Sequence, residues 1–327
     1  MFREHLGTFE NHQLECRGLS FVSTVHSGSC FSRLYKPPVV AQFLRDITLD
    51  VGAGEIHGIC GNHGSGKSVL LNALASRGRG GTGGTVLLDK QLLTAARFRK
   101  SCSFVDATTR LLPFLTVRQT LYYQLKLTLS GRLTSSQIED RLLTLLQDWE
   151  LLGYGHEQIG ALSESARRRV LMALGTAKDP VLLIADDPIR DLEPLSAYQL
   201  MLCLQTFIKR HRRLAIVSMR TPRSDISQLL DKITILFFGE MVYSGPTNKL
   251  PLYLHHLGFV CPPNENPAAY LVTLSTINKE NAVLYAETQE QAGRLVEAFR
   301  SIPYEDYYQQ KRQKDCTPEF LCLSPTS

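Results

Sequence analysis

The sequence predicts an α/β fold built on a mainly parallel β-sheet. Three observations carry this. Apolar runs of strand length alternate with stretches of helical periodicity between about residues 43 and 238. A glycine-rich loop separates one such run from one such helix. A block from Thr116 to Thr176 is helical throughout, as an inserted subdomain would be.

In order, Phe43 to Val51 alternates as a strand does, with Leu44, Ile47, Leu49 and Val51 in phase. Gly52 to Gly54 reads as a turn, and Glu55 to Cys60 as a short buried strand. After the glycine-rich loop, Val69, Leu70, Leu71, Leu74 and Ala75 give a helix. Gly78 to Gly84 reads as a flexible loop, and Thr85 to Asp89 as a strand. Thr116 is placed to cap a helix bearing Val117, Leu121 and Leu125. Ser135 and Ser136 precede a second, bearing Ile138, Leu142, Leu145 and Leu146. Val181 to Ala185 is a continuous apolar strand, followed by a helix from Pro194. A strand over Leu214 to Val217, a short helix near Ile226 to Leu230 and a strand over Ile233 to Phe238 complete the pattern, and Asn278 to Arg300 is amphipathic. The expected organisation is an irregular N-terminal segment over 1–40, one domain over 41–300 with its helical subdomain at about 116–176, and a poorly ordered tail over 301–327.

Bulk composition excludes several classes. Of 327 residues, 43% are hydrophobic, enough for a sizeable core. The net charge of +5 does not call for a nucleic-acid partner. The cysteines at 16, 30, 60, 102, 203, 261, 316 and 322 form no CxxC pair or metal-ligand spacing, so free thiols are expected. Met1 to Glu10 has no apolar core of a secretory signal, and no run of eighteen apolar residues would span a membrane.

The chemistry begins at Gly61-Asn62-His63-Gly64-Ser65-Gly66-Lys67-Ser68, which fits G-x-x-x-x-G-K-[ST] between a predicted strand and a predicted helix. Glycines let the backbone curl so that its N–H groups face phosphate, and the helix N-terminus adds positive potential. Lys67 is then expected to reach the β and γ phosphates of ATP, and the Ser68 hydroxyl to ligate Mg²⁺. His63 occupies a free position of the loop and is read as filler. A hydrophobic strand ending in Asp186 and Asp187 fits a Walker B segment, with Asp186 placed to hold the Mg²⁺ shell.

Together these segments resemble the ABC ATPases, and specifically the G-subfamily (White-type) half-transporters. Leu162 to Val170 looks like that family's signature, S-G-G-E-R-R-R-V. Leu115 to Leu121 is similar to its L-T-V-R-E-T-L, and Thr221 to Ile226 to its Q-P-R-S-D-I. Asp231-Lys232-Ile233, Phe238-Gly239-Glu240, Tyr243-Ser244-Gly245, Cys261-Pro262 and Asn266 to Tyr270 match its C-terminal stretch, in a form nearest the sterol-transporting sterolins. The resemblance covers about residues 40 to 300. It implies a P-loop NTPase fold with a mainly parallel sheet, an N-terminal antiparallel β portion and an inserted helical subdomain.

In such a family two ATPase domains meet head to tail, each nucleotide lying between one P-loop and the partner's signature. Here the signature reads Ser163-Glu164-Ser165, so Glu164 and Ser165 stand for its two glycines, and Glu164 would set a carboxylate near a polyanion. Asp187 stands for the catalytic glutamate; it is shorter by roughly 1.5 Å, and an error near 1 Å costs about a hundredfold in rate. Ala107 stands for the Q-loop glutamine and Arg220 for the switch histidine. Arg220 cannot shuttle a proton near neutral pH, though it can touch phosphate as a fixed charge.

The resemblance thus implies an ATP-binding subunit domain of a lipid- or sterol-transporting half-transporter, with eroded hydrolysis motifs. It would pair with a second half-transporter subunit as a heterodimer and sit at the cytoplasmic side of a membrane, its transmembrane part absent from this sequence. The alternatives are a non-hydrolysing regulatory ATP-binding partner, or a soluble ABC protein of the translation-factor or DNA-repair class. The latter would need a second cassette or a long coiled coil, and 278–300 is too short for one. Among other residues, Trp149 is expected to pack. Phe21 is placed either against adenine or in the core. Arg167 to Arg169 are expected on a solvated helix face.

Overall fold

A computed structural model describes residues 11–25, 39–78, 80–129, 131–277 and 281–301. Two sheets organise it. Strands β1 (Gln13–Val25), β2 (Val39–Gly52), β4 (Gly81–Leu88) and β5 (Gln91–Leu92) form an antiparallel sheet in the order β2-β1-β4-β5. The second sheet runs β10-β9-β3-β8-β7-β6, from β3 (Ile56–Cys60), β6 (Cys102–Asp106), β7 (Leu182–Asp186), β8 (Leu214–Ser218), β9 (Lys232–Phe237) and β10 (Glu240–Pro246). Its neighbours pair in parallel except for the edge strand β10, which is antiparallel to β9.

Side-chain alternation divides the core. On β7, Leu182 and Ile184 point toward the antiparallel sheet, while Leu183 and Ala185 point toward the helices. Strand β8 does the same with Leu214 and Ile216 against Ala215 and Val217. Helix α1 (Lys67–Leu74) lies in the first layer, with Leu70, Leu71 and Leu74 fully buried among Leu44, Leu49 and Ile184. A strand buried on both faces reads as one apolar run, which is why β7 and β8 stand out in the sequence.

The helical block holds α3 (Val117–Leu129), α4 (Ser135–Asp148) and α5 (Glu164–Thr176). Thr116 does cap α3: its hydroxyl accepts from Gln119 N at 3.1 Å, while Gln119 Oε1 accepts from Thr116 N at 3.0 Å. Helix α4 is capped by Thr134, one residue before the serines expected to mark its start. Trp149, at the end of α4, is fully buried; its indole N–H donates to Thr176 Oγ1 at 2.9 Å, and its ring packs against Phe207. Helix α6 (Pro194–His211) follows β7 with proline in its first turn. Helix α7 (Ser224–Ser227) is shorter and earlier than expected, and α10 (Ala282–Ser301) occupies most of the amphipathic stretch. Helices α2 (Ala95–Ser101), α8 (Leu250–His256) and α9 (Pro267–Leu274) were not anticipated.

The N-terminal segment is corrected most. Residues 13–25, expected to be irregular, form the central strand of the antiparallel sheet. The inward set Leu14 and Cys16 shifts phase to Leu19 and Phe21, with register breaks against both neighbours. Gly18 sits in that break at φ +62°, its N–H donating to Thr48 Oγ1 at 3.0 Å. A bulge of this kind destroys the period of two that marks a strand in sequence. Likewise β4 begins inside the glycine run expected to be a flexible loop. Cys16, Cys60, Cys102, Cys203 and Cys261 are free thiols. Residues 1–10, 26–38 and 302–327, with Cys30, Cys316, Cys322 and all but the first residue of the expected tail, lie outside the described residues.

A polar network ties the base of the second sheet together. His57 is fully buried on β3; its Nε2 is 2.7 Å from Thr234 Oγ1, and Lys232 beside it contacts Asp50 at 2.5 Å and Glu55 at 2.9 Å. Burial, helped by the Lys232 charge, lowers the His57 pKa from 6.5 to about 4. The native state therefore keeps His57 neutral where the unfolded chain protonates it. This contribution to stability is complete above pH 6.5 and is lost as pH falls toward 4. Urea midpoints measured from pH 7 down to 4.5 are expected to fall less steeply in His57→Gln than in the wild type. Parallel curves would contradict the assignment.

Candidate nucleotide site

At the carboxyl ends of β3, β6, β7 and β8 lies a pocket of about 630 Å³. Its lining includes His63, Gly64, Gly66, Lys67, Ser68, Asp106, Ala107, Asp186, Asp187, Arg190 and Arg220. The location follows from the sheet: parallel strands deliver their following loops to one end.

Residues 61–66 bridge β3 and α1. Gly61 stands at φ +145°, where a Cβ would come within 2.5 Å of the Leu236 carbonyl oxygen. Gly66 caps α1 at φ +101°. Both conformations exclude ordinary side chains, which explains two of the fixed glycines. The loop is held from outside: Gly61 N donates to Arg220 O at 3.0 Å, and Gly239 N donates to Ser65 O at 2.9 Å. Ser65 is buried, and Asn62 Nδ2 donates to Thr276 Oγ1 beyond α9. His63 is exposed on the loop.

Lys67 Nζ donates to Gly61 O at 2.6 Å and Asn62 O at 2.8 Å, so the ammonium is curled over the loop it follows. Burial lowers its pKa, against the opposing pull of Cys60, Asp187 and Asp186. Asp186 ends β7 and accepts from Ser218 Oγ at 2.5 Å; the same hydroxyl accepts from Asp187 N at 2.9 Å. Ser218, fully buried at the end of β8, thus sets the positions of both acids. Asp187 has a left-handed backbone, φ +49°. Burial raises its carboxyl pKa, as does the adjacent Asp186 charge, while Arg190, Lys67 and Arg220 oppose the rise.

The residues present fit Mg-ATP. Gly61 leaves no room for a Cβ, a lysine and two arginines face the pocket, and Ser68 and Asp186 supply the hard oxygen donors Mg²⁺ prefers. Among the described residues no cluster of three or more His, Cys, Asp or Glu forms a metal cage. Mg²⁺ does not need one, since it is ordinarily held by one or two carboxylates together with substrate phosphates.

Ala107 and Arg220 also reach the pocket, whereas Ser163, Glu164 and Ser165 do not line it. Ser163 instead caps α5, accepting from Ala166 N at 3.2 Å. Glu164 folds back on its own helix, 3.0 Å from Arg168 Nη2 and 3.7 Å from Arg167 Nη1, so its charge is largely matched within the chain. The arginine triplet is not a solvated face. Arg168 is buried, Arg167 donates twice to Leu162 O, and Arg169 pairs with Glu150 and lies over Tyr154. Phe21 belongs to the core, packed against Gly78 and Gly80; the aromatic that lines the pocket is Phe43, joined by Phe238. Asp106, Arg190 and Ser218 were also missed. Asp106 closes β6, a strand too polar to read as such, Ser218 stands one residue past the apolar run that marks β8, and Arg190 has no motif of its own.

Sheet, loop and pocket define a P-loop nucleotide-binding fold. Residues 44–190 match the family model described as ABC transporter. The solved structure of "cbiO1 from clostridium perfringens: Part of the ABC transporter complex cbiONQ" superposes with TM-score 0.61 at 19% identity, covering 76% of this chain and 98% of that one, which supports the fold. Over residues 44–190 the chain is thus similar to the ABC transporter family. Within that family its similarity is to subfamily G. It is 30% identical over 276 residues to human ATP-binding cassette sub-family G member 5, covering 79% of this chain and 41% of that protein. Identity is 28% over 263 residues to human sub-family G member 8, covering 78% and 39%, and 32% over 232 residues to ABC transporter G family member 4 of Arabidopsis thaliana, covering 71% and 40%. The chain spans about two fifths of the length of these curated relatives.

Proposed function

We propose that this chain is the ATP-binding part of an ABC-type half-transporter that holds Mg-ATP firmly and turns it over slowly or not at all. The observation that carries the reading is the pocket itself. It joins Lys67, Ser68 and Asp186, the binding parts, to Ala107, Asp187 and Arg220, which replace the hydrolytic ones. Lys67 and the loop amides would cradle the phosphates, and Ser68 and Asp186 would hold Mg²⁺, which when bound neutralises phosphate charge. Phe43 offers a face to the base. Asp187 would approach an attacking water from a shortened side chain, and the Ala107 methyl offers no oxygen to place that water.

The second subunit of a heterodimer would close the site with its own signature. The likeness to sub-family G members 5 and 8 supports this pairing and a lipid or sterol cargo. Among the described residues no helix is long and apolar enough to cross a membrane. The same replacements in the pocket favour a variant of this reading, in which the chain binds ATP to regulate a hydrolysing partner.

Binding of ATP with Mg²⁺ to the full chain, followed by phosphate release, tests the proposal. Saturable binding is expected, with turnover well below roughly one per second, under the ordinary enzyme range. Brisk turnover by the chain alone would show that Asp187 and Arg220 are adequate substitutes. Stimulation of phosphate release by a partner domain, retained when Asp187 is changed to Asn, would favour the regulatory variant.

A further inference from the structure

Arg168, one turn past Glu164 on α5, is only 5% exposed. Its Nη1 donates to Ala107 O at 3.3 Å, and its Nη2 donates to Arg190 O at 3.3 Å and Glu164 Oε1 at 3.0 Å. Its Nε is buried without a hydrogen-bond partner among the described residues. The two carbonyls belong to the loops after β6 and β7, and both loops line the pocket. Each is also one hydrogen bond from an acid: Ala107 N donates to Asp186 O at 3.3 Å, and Arg190 N donates to Asp187 O at 3.1 Å. A guanidinium is a rigid planar fork, so holding both carbonyls fixes their separation.

We propose that Arg168 is a positioning residue for the triphosphate end of the pocket. From behind the site it clamps the backbones of Ala107 and Arg190, and so sets where Asp186 and Asp187 stand relative to a third phosphate and its metal. This rests on the Mg-ATP reading above. The clamp belongs to the chain's own pocket, although the arginine sits on the signature helix. Glu164 orients the guanidinium from its open side and does not touch either loop.

Affinities of the full chain for ATP and for ADP, each with Mg²⁺, test this in the wild type, Arg168→Met, Arg168→Lys and Glu164→Gln. Arg168→Met is expected to weaken ATP about tenfold, the low end of what outer contacts to a metal-bearing site cost, and to leave ADP within about twofold. An ammonium cannot span both carbonyls as a fork does, so Arg168→Lys gives an intermediate ratio and carries the test if the methionine variant does not fold. Glu164→Gln keeps the wild-type ratio within about twofold. Hydrogen exchange on the wild type needs no variant: ATP, and not ADP, is expected to raise protection of amides in residues 163–170. Equal loss of ATP and ADP in the arginine variants, or equal protection by both nucleotides, overturns the clamp alone. A wild type that binds neither nucleotide removes the Mg-ATP reading and the clamp with it.

Discussion

Lys67→Ala is expected to bind ATP at least about a hundredfold more weakly than the wild type, which for a site of ordinary affinity means no measurable binding. Charge-assisted hydrogen bonds to phosphate contribute about 1.5–3 kcal/mol each, and a hundredfold is about 2.7 kcal/mol. The fold should survive. Lys67 Nζ bonds to backbone oxygens of its own loop, and the lysine's partial burial holds its pKa down, so its removal relieves a desolvated charge. Calorimetric titration together with a melting curve separates the two effects. Unchanged affinity in a folded variant would count against the phosphate role of residues 61–68.

Gly239→Ala is expected to lower stability by about 3 kcal/mol or more, and with it the order of the nucleotide loop. Gly239 sits at φ +82° in the turn between β9 and β10, and a Cβ there would stand 2.0 Å from the Phe43 carbonyl oxygen. That is backbone against backbone, with no side chain to yield. The same residue accepts from Arg45 N at 2.9 Å and donates to Ser65 O at 2.9 Å, so it pins β2 to the phosphate loop. At about 2–4 °C per kcal/mol for a domain of this size, the melting temperature should fall by about 6–12 °C. ATP affinity should drop as well, because Ser65 loses its tether. A variant melting with the wild type would mean that β2 and the loop can part without cost.

The parallel sheet and phosphate loop were legible because their physics is local. Strands β7 and β8 are buried on both faces and read as unbroken apolar runs, and glycines 61 and 66 occupy conformations other residues avoid. What stayed hidden depends on contacts between distant segments. Strand β1 is interrupted by a bulge at Gly18 that a search for alternation rejects. Strand β6 reads Cys-Ser-Phe-Val-Asp, and its neighbour β7, some eighty residues on, makes it a strand. Arg168 looks like one of three surface charges until α5 lies against the loops after β6 and β7. Phe21 and Phe43 are indistinguishable by type; the bulged register of β1 against β2 sends the first into the core, and the second lines the pocket.

The chain has a single tryptophan, Trp149, sealed at the end of α4 with its indole hydrogen-bonded to Thr176 and its ring against Phe207. Its emission therefore reports on the helical block and its seat against α6, whereas the tyrosines are spread across both regions. If the helical block melts before the sheets, red-shifted indole fluorescence will precede the loss of far-ultraviolet circular dichroism. If the domain unfolds as one cooperative unit, the two signals will coincide. The native sequence thus contains an optical probe of whether the two parts of the domain unfold together, with no label required.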